Sequence, residues 1–168
     1  MSLSMYQASV PVFLRQLINL KAILEKGAAD AEARKIEPSV FINARLAPDM
    51  FALARQVQIA TDTVKGAGAR LAGIEVPSFA DTETTFPELQ ARLDKTIDFL
   101  KGLKPEQIDG SEERSITLKM RSGDITFTGQ NYLLHFVLPN FFFHYTTTYA
   151  ILRHNGVAVG KMDYLGGV

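Results

Sequence analysis

The sequence predicts an all-α fold, a four-helix bundle with one β-hairpin inserted before the last helix. Three observations predict it. Four stretches place apolar residues at steps of three and four, and one stretch between the third and fourth alternates apolar with polar. The third is the segment Gln130–His154, QNYLLHFVLPNFFFHYTTTYAILRH, dense in aromatics. Between Asp124 and Arg153 no Asp, Glu, Lys or Arg occurs, so this segment is expected to be a central helix buried nearly all the way round.

The first helix is expected over Tyr6–Lys26. Val10, Phe13, Leu14, Leu17, Leu20 and Leu24 share one face, with Gly27 as a stop. Ala28–Leu46 reads as a connection that packs Phe41 and Ile42 back on the core. In the second helix, Pro48 suits the first helical position and Asp49 the positive end of the helix dipole. Met50, Leu53, Val57, Ala60, Val64, Ala67 and Leu71 then form a seam that Gly73 and Pro77 close.

Thr85 and Glu88 form a capping box ahead of Leu89, Leu93, Ile97 and Leu100, giving a third helix that ends near Gly102. Pro87 lies in its first turn, where a missing N–H costs nothing. SITLKMRSGDITFTG alternates and has Ser122-Gly123 at its middle, the pattern of a hairpin. Two strands alone are marginal in water, so the hairpin must lie on helices. The fourth helix starts near Thr128, and Pro139 predicts a bend in it because that residue cannot donate to the carbonyl of His135. The tail GVAVGKMDYLGGV runs back over the bundle. No linker or repeat divides the chain, so residues 1–168 are one domain.

Composition narrows function by exclusion. The 168 residues hold 18 basic and 18 acidic side chains and no cysteine. No nucleic-acid surface is expected without a basic excess, and disulfides, thiolate sites and a Cys nucleophile are excluded. The last helix is long enough to cross a bilayer, which takes about 20 apolar residues. It nevertheless contains His135, His144, Asn140 and Pro139 and no flanking cluster of Lys or Arg. No membrane span is expected. The N-terminus lacks a signal-peptide pattern, and a cytoplasmic protein is the expectation. No nucleophile elbow, phosphate loop or dinucleotide fingerprint occurs. Glu112-Glu113 and Asp81–Glu83 read as solvated surface, and His154 as a cationic end to the last helix.

The chemistry-bearing residues gather on two helices. Asn140 and His144 are four apart and share a face, which Thr147, Thr148 and Ile151 continue. His135 lies on the opposite side. With Val57 at the centre of the second helix's seam, Gln58 and Thr61 lie on one flank, so a pocket between the two helices is expected to hold Gln58, Thr61, Asn140, His144 and Thr148. A buried His beside Thr and Asn is also what a hydrogen-bonded core residue looks like.

NFFFHYTTTYAILRHNG resembles the last helix of the DinB/YfiT-like bundles, in which two histidines four apart precede a Leu-Arg-x-x-Gly ending. That ending falls on Leu152, Arg153 and Gly156, which sets His144 at the second histidine and Asn140 at the first. RQVQIATD, Arg55–Asp62, resembles the family's second helix, which contributes a third metal-binding histidine. Gln58 is nearest to that position by helical face, or Ile59 with the register shifted by one. LAPDMFALARQVQIATD, FPELQARLDKTIDFL and LPNFFFHYTTTYAILRHNGVAVGKMDYLG together are similar to a domain-of-unknown-function group in that superfamily. The resemblance implies a bundle whose relatives include metal-dependent thiol transferases and hydrolases with a three-histidine nickel or zinc site, and it implies a homodimer. Of the three histidines, His144 remains here. The expectation is therefore a DinB-like protein without the three-histidine site, with no cofactor and a polar or small-molecule ligand pocket near His144. The alternative is a metal-dependent hydrolase or transferase that uses His144 as its metal ligand, with nickel or zinc.

Overall fold

The structure, a computed structural model of the chain, describes residues 3–120 and 123–167. Its elements are α1 (Val10–Ala33), α2 (Pro38–Ile42), α3 (Leu53–Ala72), α4 (Phe86–Gly102), α5 (Pro105–Ile108), β1 (Ser115–Leu118), β2 (Ile125–Thr128), α6 (Gly129–Asn131), a π-helical segment (Tyr132–Val137), α7 (Leu138–His154) and α8 (Lys161–Leu165). The chain is mostly helical, and the bundle helices are α1, α3, α4 and the continuous rod from α6 to α7.

Side-chain pairings fix the directions of these helices. On α3 and α7, Gln56 meets His144 and Thr63 meets Asn140, so the two run antiparallel. Thr61 meets Arg92, and Gly68 lies under Leu100 and Leu103, so α3 and α4 run parallel. Lys21 bonds Asp94 while Gly27 lies under Phe86, so α1 and α4 are antiparallel. Phe13 packs edge-on to Phe141, and Gly27 touches Leu152, so α1 and α7 are parallel. The topology is up-down-down-up, with α1 diagonal to α3. Parallel neighbours need a crossover, which residues 73–85 supply between α3 and α4.

Several boundaries differ from the sequence reading. Helix α1 does not stop at Gly27. The glycine is buried inside it, where a Cβ would come within 3.1 Å of Leu152, so the residue serves close packing. Of the expected connection, residues 28–33 continue α1 and Pro38–Ile42 form α2, with Phe41 and Ile42 buried as expected. Helix α3 begins at Leu53, not Pro48. Met50 donates its N–H to the Ala47 carbonyl at 3.0 Å, which makes Pro48 the second residue of a β-turn. The same φ of about −65° suits both positions.

The Thr85–Glu88 capping box opens α4 as expected. The strands pair in the register Ile116↔Phe127 and Leu118↔Ile125. Ser122, expected at the hairpin tip, lies outside the described residues, while Gly123 has φ +116°. Gly129 ends the hairpin where a Cβ would fall 2.0 Å from the Ser111 carbonyl oxygen. The backbone ahead of Pro139, where a bend is expected, takes one π-helical stretch, closed by Leu138 N–H to Leu133 O.

The last helix is not buried all round. Phe141 and Tyr145 are fully buried, but Phe143 is 55% exposed and Leu134 42%. The tail returns as α8 on α1, where Tyr164 stacks on Tyr145 with ring centroids 4.3 Å apart. Among the described residues no helix is long and apolar enough to cross a membrane.

Candidate functional site

The α3–α7 interface carries two polar contacts one helical turn apart on α7. His144 Nδ1 lies 2.6 Å from Gln56 Oε1. Gln56 is itself buried, and its Nε2 donates to the Phe51 carbonyl at 3.0 Å. The carboxamide therefore presents oxygen to the ring, so Nδ1 carries the proton and Nε2 the lone pair. Buried side-chain atoms without a partner are Gln90 Oε1 and Ser111 Oγ among the described residues, so Nε2, with no protein partner there, is reached by water. Burial, with the Arg55 guanidinium nearby, holds this imidazole below its usual range. Next along the helix, Asn140 Nδ2 donates to Thr63 Oγ1 at 2.8 Å, while that hydroxyl donates to the Ile59 carbonyl. Asn140 also helps to line the adjoining cavity, about 310 Å³ in volume, with Ile59, Thr63, Arg70, Tyr132 and Phe136.

The five residues expected to share one pocket do not. Asn140 and His144 stand on the α3–α7 groove. Thr148 is buried and donates back to the His144 carbonyl. Gln58 and Thr61 face α4 and the crossover: Gln58 bonds Arg55 and Glu83, and Thr61 Oγ1 accepts from Arg92 Nε at 2.8 Å. Steps of about 100° put Gln58 roughly 200° round the helix from Gln56. The residue facing His144 is Gln56, and it was missed because Val57 points at the bundle axis with α7 and α4 on opposite flanks.

On the far flank lies a network that the sequence reading did not anticipate. Arg92 is 2% exposed, and its guanidinium meets Thr61, Asp62, the Ala80 carbonyl, Asp81 and Glu83. Hydrogen bonds run from Nε to Thr61, from Nη1 to Ala80 and Glu83 and from Nη2 to Asp62, and Asp81 adds an ion pair to Nη2. Buried Lys65 bonds Asp62 at 2.7 Å and stands 4.0 Å over the Phe79 ring, while Arg55 pairs with Asp81. Three cations face three carboxylates. Asp81 and Glu83 are therefore not free solvated surface; they pin the crossover to α3 and α4. A second cavity of about 450 Å³ lies beside them, and Arg92, already engaged in this network, helps to line it.

The family model described as "Domain of unknown function (DUF1993)" matches residues 5–165. The chain belongs to the DUF1993 family. The chain is also similar to a crystal structure of a DinB family member protein from Shewanella denitrificans: 41% identical, TM-score 0.89, covering 97% of this chain and 92% of that one. No curated protein matches it.

The DinB resemblance implies a three-histidine metal site, and the side chains of this DUF1993 chain do not fit one. Of the two residues that the resemblance sets near the third histidine, Gln58 is bonded to Arg55 and Glu83, and Ile59, which lines the cavity, has no donor. Asn140 offers an amide oxygen, a weak donor to nickel or zinc. His144 Nε2 is the one strong donor among these positions, and His144 does not line the cavity beside Asn140. Among the described residues no three His, Cys, Asp or Glu side chains come together as a metal would need. His135 and His154 are exposed elsewhere on the rod.

Proposed function

We propose that this DUF1993 protein is a ligand-binding helix bundle in which the metal site implied by its DinB relatives has become a polar small-molecule groove between α3 and α7. The observation that carries the reading is the Phe51–Gln56–His144 chain of hydrogen bonds. It commits Nδ1 to the protein and leaves one imidazole lone pair unbonded, one helical turn from the Asn140 that lines the cavity. Such a groove can hold a polar group of a ligand without ordering an ion. Elemental analysis of protein purified without a histidine tag tests this, with substoichiometric nickel and zinc and normal melting expected. One zinc or nickel per chain, lost in His144→Ala, would instead establish a metal-dependent hydrolase or transferase.

The reading extends to assembly. Leu46 and Phe143 line a shallow apolar groove, and with Phe51 they are 41%, 55% and 56% exposed. Apolar surface of that kind at one end of the bundle supports a homodimer. The neutral charge balance and absence of a span among the described helices support a cytoplasmic protein without nucleic-acid or membrane partners.

A further inference from the structure

The cavity beside Asn140 has one chemical peculiarity, an arginine without an acid. Arg70 Nη1 donates to Tyr132 Oη at 3.1 Å, and no carboxylate among the described residues pairs with its guanidinium. The other charged groups lining the cavity are Arg55, Asp62 and Lys119. Arg55 is paired with Asp81, and Asp62 is held by Arg92 and Lys65. Among the described residues, Arg70 and Lys119 have no carboxylate partner.

A cation in the last turn of a helix ordinarily reaches forward to the terminal carbonyls. Arg70 instead folds back by one turn. Its Nη1 occupies the place where a Cβ on Gly66 would stand, 2.3 Å away. A mid-helix glycine is unfavourable by itself, and here its absent side chain is what allows the guanidinium to lie against α3 and face Tyr132. Tyr132 accepts that bond, so its own O–H is free to donate. Burial pushes the phenol above its usual range, which keeps the proton on. The wall behind is aromatic: Tyr132 and Phe136 stack with centroids 6.0 Å apart, on the π-helical segment. Ile59, Leu118 and Met120 complete an apolar floor and rim.

We propose that this cavity binds a small organic anion with a flat apolar body, its acidic group held by Arg70 and the Tyr132 hydroxyl and its body lying against Phe136 and Ile59. The proposal deepens the groove reading above and rests on it, but it needs neither His144 nor a metal. A guanidinium with unused donors beside a phenol recognises carboxylate, sulfonate or phosphate alike, and the cavity volume suits a ring system of one or two rings.

Titration of the 15N-labelled full chain with 1-naphthylacetate, and in parallel with neutral 1-naphthylacetamide, tests it at pH 7.5. The acetate is expected to shift the amides of Thr63, Arg70, Phe136 and Asn140 and to bind at least about tenfold tighter than the amide. Arg70→Gln should bring the two affinities together. Gly66→Ala should do the same while melting no lower than the parent, because it keeps the positive charge and merely evicts the guanidinium from its seat. Equal affinity in the parent protein, or a preference that survives Arg70→Gln, would overturn the anion site and leave the groove as an apolar one. Shifts elsewhere on the molecule, or no binding of either compound, would overturn the anion site and the ligand groove together.

Discussion

Gln56 decides the protonation state of His144. Because Nε2 of the amide is spent on the Phe51 carbonyl, protonating the imidazole gains no second protein acceptor and puts a charge near Arg55 in a half-buried place. The folded pKa is depressed below the unfolded value of 6.5. Stability is therefore complete above that value and is lost as pH falls from about 6.5 through the lower folded pKa, since the unfolded chain takes up the proton first. Urea melts across pH 5–7.5 should show that limb, and His144→Gln should flatten it. His144→Ala is expected to cost about 1–3 kcal/mol by orphaning the buried Gln56 Oε1. The larger single-residue effect belongs to Arg92. Removing it with Arg92→Ala leaves Asp62, Asp81 and Glu83 facing one another, and a loss of about 3–5 kcal/mol in chemical denaturation is expected. Arg92→Lys should recover little, because a compact ammonium cannot reproduce the fork of bonds to Thr61, Asp62, Ala80 and Glu83.

At the scale of elements, two glycines should respond in opposite directions. In α3, Gly66→Ala meets nothing but the movable end of Arg70, so the helix gains about 0.5–1 kcal/mol from alanine's propensity. At the start of α6, Gly129→Ala drives a methyl into the Ser111 carbonyl, which is backbone and cannot rotate aside. A loss of about 2–3 kcal/mol is expected in thermal melts. Elements whose ends are marked by side-chain chemistry were legible in the sequence. The Thr85–Glu88 box and its apolar face located α4 well, and strict alternation located the hairpin. Residues with two roles misled: Pro48 serves a turn as readily as a helix start, and Gly27 serves a close crossing as readily as a stop. The Arg92 network was legible in part, for Leu89, Arg92, Leu93, Thr96, Ile97 and Leu100 fall at seam spacing, and an arginine in a seam asks for buried partners. Its partners come from the irregular crossover, which no periodicity describes.

At the scale of the whole molecule, the up-down-down-up order brings α7 to one flank of α3 and α4 to the other. That order separates the groove at Asn140 and His144 from the ion network at Gln58 and Thr61. A single helical wheel could place residues on faces but could not say which neighbour each face would meet, so Gln58 and Thr61, two of the five residues of the expected pocket, fell on the other side. The exposed Phe143 end should be the dimer contact, and Phe143→Glu should convert a dimer into a monomer in sedimentation without lowering helix content. An unchanged sedimentation coefficient would remove that contact.

The most direct measurement of the metal-free groove is a long-range 1H–15N spectrum of the histidine rings at pH 7.5, with and without one equivalent of zinc. The account predicts a protonated Nδ1 and a lone-pair Nε2 on His144, both unmoved by zinc. A His144 Nε2 resonance that shifts stoichiometrically to a coordinated position would contradict it.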